Sequence, residues 1–187
     1  RLWYLFFGEG ITSSLDYFGG QGSPPAMPDL LDNLSVYFYE NDWDIKRIIK
    51  LVVMSRAYKL SSEIPDALKT KDPTNKFFAR QSRHRLSAEM IRDNALAVSG
   101  LLVNDYGGSS IKPYQPKGYY RHLNFPKREY VQHEDERRFK RSVYMHWQRQ
   151  FLHPLLKAMD APSREECVAK RSRSNTPIAA MVLLNDP

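Results

Sequence analysis

Helical spacing of apolar residues is confined in this chain to a few short stretches, and between them run long segments dense in proline, glycine and tyrosine. A chain so patterned has neither the sustained period of a long bundle nor the alternation of a large sheet, so it must fold as short helices held together by ordered irregular backbone. Pro28 and Asp29 suit a first helical turn, and Leu30, Leu31, Leu34, Tyr37 and Phe38 follow at spacings of three and four, predicting a helix that ends near Glu40. Asp44 is placed to cap a second helix, whose Ile45, Ile48, Ile49, Val52 and Val53 form one stripe while Lys46, Arg47 and Lys50 face outward. The short Asn41-Asp42-Trp43 connection makes these two helices neighbours. Ser87 would cap a third helix that buries Met90, Ile91, Ala95, Val98, Leu101 and Leu102, and Thr176-Pro177 opens a last one running through Leu184.

The intervening segments read differently. Gly8 to Pro28 is a loop packed through Tyr17 and Phe18, and residues 61–75 form a polar loop around Pro65 and the Asp72-Pro73 turn. Asn104 to Pro126 carries Gly107-Gly108, three prolines and Tyr114, Tyr119 and Tyr120, too aromatic for a flexible linker. Ser142 to Trp147 fits a short strand or a helix. The fold class is therefore mainly α: an irregular multi-helix domain spanning 1–187, with long ordered Pro/Gly/Tyr-rich loops and at most a short β element. At 187 residues and 42% hydrophobic content it can form a sizeable core without staples. No apolar run approaches the roughly 20 residues of a membrane-spanning helix. The abrupt apolar opening at Arg1-Leu2-Trp3 and the helix-start signal Asn185-Asp186-Pro187 at the other end read as a fragment of a larger protein.

Charge is segregated. Residues 1–45 hold one basic and seven acidic side chains (net −6), residues 46–100 twelve and five (+7), and residues 101–187 fifteen and nine (+6). The basic segments Lys46-Arg47, Arg80 to Arg85 and Arg137 to Arg141 are interleaved with apolar residues, which favours solvated faces paired with the acidic first third over a nucleic-acid surface. Nucleic acid is the least favoured partner.

Several segments taken together are similar to one family, planctomycete secreted domain one, the domain of unknown function 1553. They are Asp16-Tyr17-Phe18-Gly19, Gln21 to Pro25, Pro28 to Asp32, Met54-Ser55-Arg56-Ala57-Tyr58, Asp72-Pro73-Thr74-Asn75-Lys76, Arg85 to Asp93, Val98 to Leu101, Gly107 to Pro116, Arg141 to Tyr144 and Asn175 through Asn185. They follow one another in family order over nearly the whole chain. The departures are local: Ile178-Ala179-Ala180-Met181 stands in place of a Leu-Gln-Ala-Leu run, and Tyr17 in place of an acid. The resemblance implies a mostly helical C-terminal module of large exported bacterial proteins (periplasmic, cell-surface or secreted), often following a haem-binding cytochrome c domain. It carries no assigned activity. The partners it implies are other domains of the same polypeptide or a cytochrome-containing protein. No Cys-x-x-Cys-His occurs, so no cofactor is expected within this chain, and the resemblance implies that any haem c would sit in a neighbouring domain.

The candidate ligand-binding residues fall in two groups. Arg85, Glu89, Arg92 and Asp93 recur at helical spacing and could grip an anionic or polyhydroxyl ligand, although an ion network on a helix surface gives the same pattern. Asp160, Arg171, Arg173 and Asn175 flank the last helix, whose N-terminus favours anions. Tyr114, Tyr119, Tyr120 and Trp147, set among Lys112, Lys117, Arg121 and Arg128, are candidate contacts for sugar rings, hence for a polysaccharide, or for a partner surface. The five histidines have no metal-ligand spacing; His146 and His153, seven apart, would share a helical face, and no metal is expected. Cys167 has no partnering base motif. An accessory interaction module is the first reading; part of an enzyme acting on extracellular carbohydrate or in haem-coupled oxidation is the second, with paired carboxylates as acid and base.

Overall fold

The structure, a computed structural model, describes residues 1–17, 19–122 and 127–185. The chain divides into two compact units, Arg1–Arg85 and Leu86–Pro187. Both are built from short helices, and β structure among the described residues is limited to isolated bridges, among them Val103 with Lys140 and Ile111 with Met145. No helix among the described residues is long and apolar enough to cross a membrane.

In the first unit, α1 (Leu2–Phe7) is stopped by Gly8, which sits at φ 76° with its amide donating to Tyr4 O. A side chain at Gly8 would meet the His84 ring at 2.7 Å, so both backbone shape and space require glycine there. α2 (Pro28–Glu40) and α3 (Ile45–Met54) run as the periodicity predicts and pack on each other. Asp44 Oδ1 accepts from the amides of Lys46 at 2.9 Å and Arg47 at 3.1 Å, which satisfies two of the free donors at the start of α3. Asp42 and Trp43 between them both take left-handed backbone (φ 54° and 59°). The core is aromatic: fully buried Phe7 stacks on Trp3 (4.3 Å between centroids) and meets Phe78 and Tyr58 edge-on, with Val52 of α3 beneath.

The segment expected to be a polar loop around Pro65 and the Asp72-Pro73 turn contains α4 (Asp66–Lys71), a helix too short for periodicity to reveal. It leads into a buried polar knot. Asp72 carboxylate oxygens accept from Lys76 N and Phe77 N, Arg80 donates to Asp72 O and Pro73 O, and Asn75, at φ 55°, exchanges hydrogen bonds with Arg80 backbone. Asp72-Pro73-Thr74-Asn75-Lys76 is thus a self-satisfying turn. Tyr17 is exposed, and Ile11 and Leu15 anchor the preceding loop in its stead; Phe18 lies outside the described residues.

The second unit has an aliphatic core of Ala88, Ile111, Met145, Leu152, Leu156, Met159 and Ala179. α5 (Ala88–Val98) starts after Ser87 as expected, but Ser87 makes no side-chain cap bond. Its buried face also differs from expectation: Met90, Ala95, Val98 and Leu101 are exposed, and Ala88 is the residue buried. The half-buried positions include Arg92 and Asp93, which explains the error, because the helix meets irregular backbone whose carbonyls and amides need polar partners. Ser142 to Trp147 is partly both alternatives: a 3-10 turn over Ser142–Tyr144, then an extended bridge from Met145 to Ile111. A second 3-10 turn covers Glu136–Phe139, α6 spans Pro154–Ala158, and α7 spans Pro177–Asn185 with Thr176 Oγ1 accepting from Ala179 N. Residues 123–126, the end of the predicted aromatic loop, lie outside the described residues, as do Asp186 and Pro187 of the C-terminal signal.

The basic segments are not simply solvated. Arg80 and Lys140 are buried, each 6% exposed, and Lys140 binds Asp105 and Gly107 O rather than an acid of the first third. Burial beside backbone carbonyls uses the long donor side chains as struts.

Candidate functional site

The predicted residues separate into three structural roles. Arg92 and Asp93 form a clamp: the Arg92 guanidinium donates to Lys140 O (3.0 Å), Ser142 Oγ (3.2 Å) and Arg138 O (2.6 Å), and Asp93 Oδ1 accepts from Ser142 N at 2.7 Å. This pair holds the 138–142 strand of irregular backbone against α5. Arg85 falls at the end of the first unit, whereas Glu89, Arg92 and Asp93 belong to the second.

Glu89 turns to the other predicted group. Arg171 Nη1 donates to both Glu89 carboxylate oxygens, at 2.9 and 2.7 Å. Asp160, itself at φ 58°, accepts from Ser174 N (2.6 Å) and Ser174 Oγ (2.8 Å). The Glu89–Arg171 pair thus joins the two groups, and Asp160 and Arg171 line a polar cleft of about 460 Å³ together with Glu165, Glu166 and Ser172. Arg173 and Asn175 are exposed. Each candidate carboxylate is engaged by a neighbour, Glu89 by the Arg171 guanidinium, Asp93 by the Ser142 amide and Asp160 by the Ser174 amide and hydroxyl.

The aromatic candidates form the more open feature. Tyr114, Tyr119 and Tyr120 line one groove of about 810 Å³ with Tyr130, Arg121 and Arg128. Tyr120 is the hub, packed edge-on to Tyr130 (5.5 Å, 79°) and Phe151 (5.8 Å, 65°). The Tyr119 hydroxyl donates to Leu152 O at 2.9 Å and the Tyr130 hydroxyl to Pro113 O at 2.7 Å. Burial pushes all three of these phenols above their ordinary pKa, with the charges of neighbouring tyrosines adding for Tyr120 and Tyr130. They are therefore neutral rings at any physiological pH. Tyr114 is different, with 46% of its surface exposed. Beside it Gln115 is buried, and its Oε1 has no hydrogen-bond partner among the described residues. Gln115 lines the same groove, and no sequence pattern marks it, since its burial comes from the fold of the surrounding loop. Trp147 has a local partner set: its Nε1 donates to Ser163 O at 3.2 Å, and the Arg164 guanidinium lies 3.7 Å above its ring.

The remaining candidates add little. Among the described residues no group of three or more His, Cys, Asp and Glu side chains could hold a metal ion. His146 and His153 share no helical face, since both lie in irregular backbone, His153 just before α6. Cys167 is an exposed free thiol.

Short helices clamped by ordered loops, with a tyrosine groove set in the loops, define a mainly helical protein whose distinctive surfaces lie off its helices. The chain belongs to the PSD1 family, described as proteins of unknown function (DUF1553), whose model matches residues 1–187, its whole length. No curated protein and no solved structure gave a match.

Proposed function

We propose that this chain is an accessory, non-catalytic interaction module of an exported, cytochrome c-associated bacterial multidomain protein, and that its tyrosine groove binds polysaccharide. The observation that carries the binding role is exposed Tyr114 in one groove with Tyr119, Tyr120 and Tyr130. A sugar ring stacks its C–H face on an aromatic ring while its hydroxyls seek both donors and acceptors, and Tyr114, Arg121, Arg128 and Glu129 supply that combination. Export and the cytochrome association rest on the family resemblance; a haem cofactor would be carried by a neighbouring domain and this chain would contact it as a partner.

The test is calorimetric titration of the chain with a panel of neutral and sulfated polysaccharides, repeated with Tyr114→Ala and Glu129→Ala. At least one polysaccharide should bind, and each substitution should weaken it by roughly tenfold. Failure of the whole panel to bind, or full affinity in the Tyr114 variant, overturns the reading.

The second reading is part of an enzyme acting on extracellular carbohydrate or in haem-coupled oxidation. It is favoured by the polar cleft that joins Asp160 and Arg171 with two further acids. Turnover by the parent protein that disappears in Asp160→Asn, with the fold intact, would establish it over the first.

A further inference from the structure

The first unit carries an open groove of about 910 Å³ along α2 and α3. Its size is at the upper end of small-molecule sites, roughly 300–1,000 Å³. Leu30, Leu34 and Tyr37 line it from one row of α2, and Arg47, Lys50, Leu51 and Met54 line it from one row of α3, every step in both rows being a helical neighbour or the next residue. Leu51, Met54 and Phe77 are exposed in it, so a connected apolar surface faces water. The row on α3 is graded, with its two cations first and its two apolar residues last. Residues 41–44 join the end of α2 to the start of α3, so Tyr37 and Arg47 mark one end of the groove. Met54 is seven residues on, about 10 Å along the helix, toward the end where Met27 and Phe77 also line it. Arg47 Nη1 donates to Asn41 Oδ1, which fixes the guanidinium at the connected end. Lys50 is exposed and makes no hydrogen bond or ion pair among the described residues. No Asp or Glu lines the groove among the described residues, and Asp44, the acid nearest in sequence, accepts from the amides of Lys46 and Arg47.

An apolar run with cations at one end is the complement of a molecule with an apolar run and an anion at one end. We infer that this groove binds a free fatty carboxylate, its carboxylate at Arg47 and Lys50 and its alkyl chain laid over Leu34, Leu51 and Met54 toward Phe77. A guanidinium and an ammonium one turn apart suit a carboxylate through charge-assisted hydrogen bonds, and each methylene taken out of water adds affinity. The two methionines at the far end adapt to a flexible chain. An anionic membrane surface or an acidic helix fits less well. Asp29, Asp32, Glu40 and Asp42 are exposed on α2 and the connection after it, and they repel an extended anionic partner, whereas a single headgroup is held at the cationic end. The groove lies within residues 1–85 and shares no residue with the tyrosine groove, so the inference stands or falls independently of the polysaccharide reading.

The experiment uses the full chain carrying carbon-13 at its methionine methyls, titrated with dodecanoate, decanoate and dodecyltrimethylammonium below their micelle concentrations and followed by NMR. Of the six methionines, Met27 and Met54 line the groove and the other four belong to the second unit, so they serve as internal controls. Dodecanoate should shift Met27 and Met54 alone. It should bind about tenfold more tightly than decanoate for its two added methylenes, and about tenfold more tightly than the trimethylammonium compound, whose charge is reversed. Lys50→Gln should weaken dodecanoate about fivefold and leave dodecyltrimethylammonium no weaker. Equal binding of the two dodecyl compounds, or full affinity for dodecanoate in the Lys50 variant, would show an apolar patch without a headgroup site. Equal shifts at the four control methionines would show general detergent binding, and binding to phosphatidylglycerol vesicles without a response to dodecanoate would show a membrane-facing surface. Each of these, like the absence of any shift at Met27 and Met54, overturns the inference.

Discussion

The two units solve the same problem, irregular backbone without a sheet, by different means. In the first, the polar ties are local: the Asp72 to Arg80 knot closes within eight residues, and the core is a cluster of rings around Phe7. In the second, the ties are long: Arg92 and Asp93 reach segments 46 to 50 residues further along, and the core is aliphatic. Local ties can form as soon as the turn forms, whereas distant ones must wait for the chain to close. The first unit should therefore depend most on a buried ring and the second on a few buried polar side chains.

Phe7→Ala carries the largest expected effect, about 4 kcal/mol, because it removes a fully buried ring with three aromatic neighbours. Hydrogen exchange should show the loss of protection in residues 1–85; equal loss in residues 86–187 would break the comparison, since it would make one cooperative core of the two. Acid should act on the second unit next. Burial holds the His153 imidazole well below its usual 6.5, at about 4, so the folded form stays neutral while the unfolded chain takes up a proton. Stability is complete above pH 6.5, falls as pH drops toward 4 and then levels, a loss of about 3 kcal/mol that urea midpoints at pH 7 and pH 4.5 would largely capture. His153→Gln should flatten that dependence, and an unchanged pH profile in the variant would move the acid sensitivity elsewhere. Arg92→Ala leaves two carbonyls and a hydroxyl without their donor, for about 2–3 kcal/mol, visible as faster exchange at the amides of residues 138–144. Glu89→Gln should cost only about 0.5 kcal/mol, since the Arg171 side chain is 39% exposed; a drop of several kcal/mol in a melting experiment would promote that pair to the rank of the Arg92 clamp.

What was legible in the sequence was what local chemistry writes there. Pro28, Asp44 and Thr176-Pro177 mark α2, α3 and α7 because capping and first-turn preferences act within a few residues. α4 and α6, at six and five residues, are shorter than any readable period. The inward face of α5 was misread because Arg92 and Asp93 point to backbone that lies far away in sequence, while Met90 and Val98 are left outside. Of the candidate site, the tyrosines announced themselves by composition and do share a groove. Gln115 and His153 did not, because their significance comes from burial among loops, which no single residue type encodes.

The buried struts also decide how a protease meets this chain. With 28 lysines and arginines, trypsin has a possible cut on average every few residues. Yet cleavage needs the basic side chain and its backbone to enter an enzyme's cleft as an extended strand, and Arg80 and Lys140 are locked inward at 6% exposure, with Arg92 bound to three acceptors. Digestion of the native protein is thus directed to exposed basic residues of the irregular segments, among them Lys117, Arg149 and, between α6 and α7, Arg164, Lys170 and Arg173. A first nick there would leave each core's anchoring bases untouched, so the fragments seen early in a digest map the solvent-facing cations, and those seen late report the opening of the knot and the clamp.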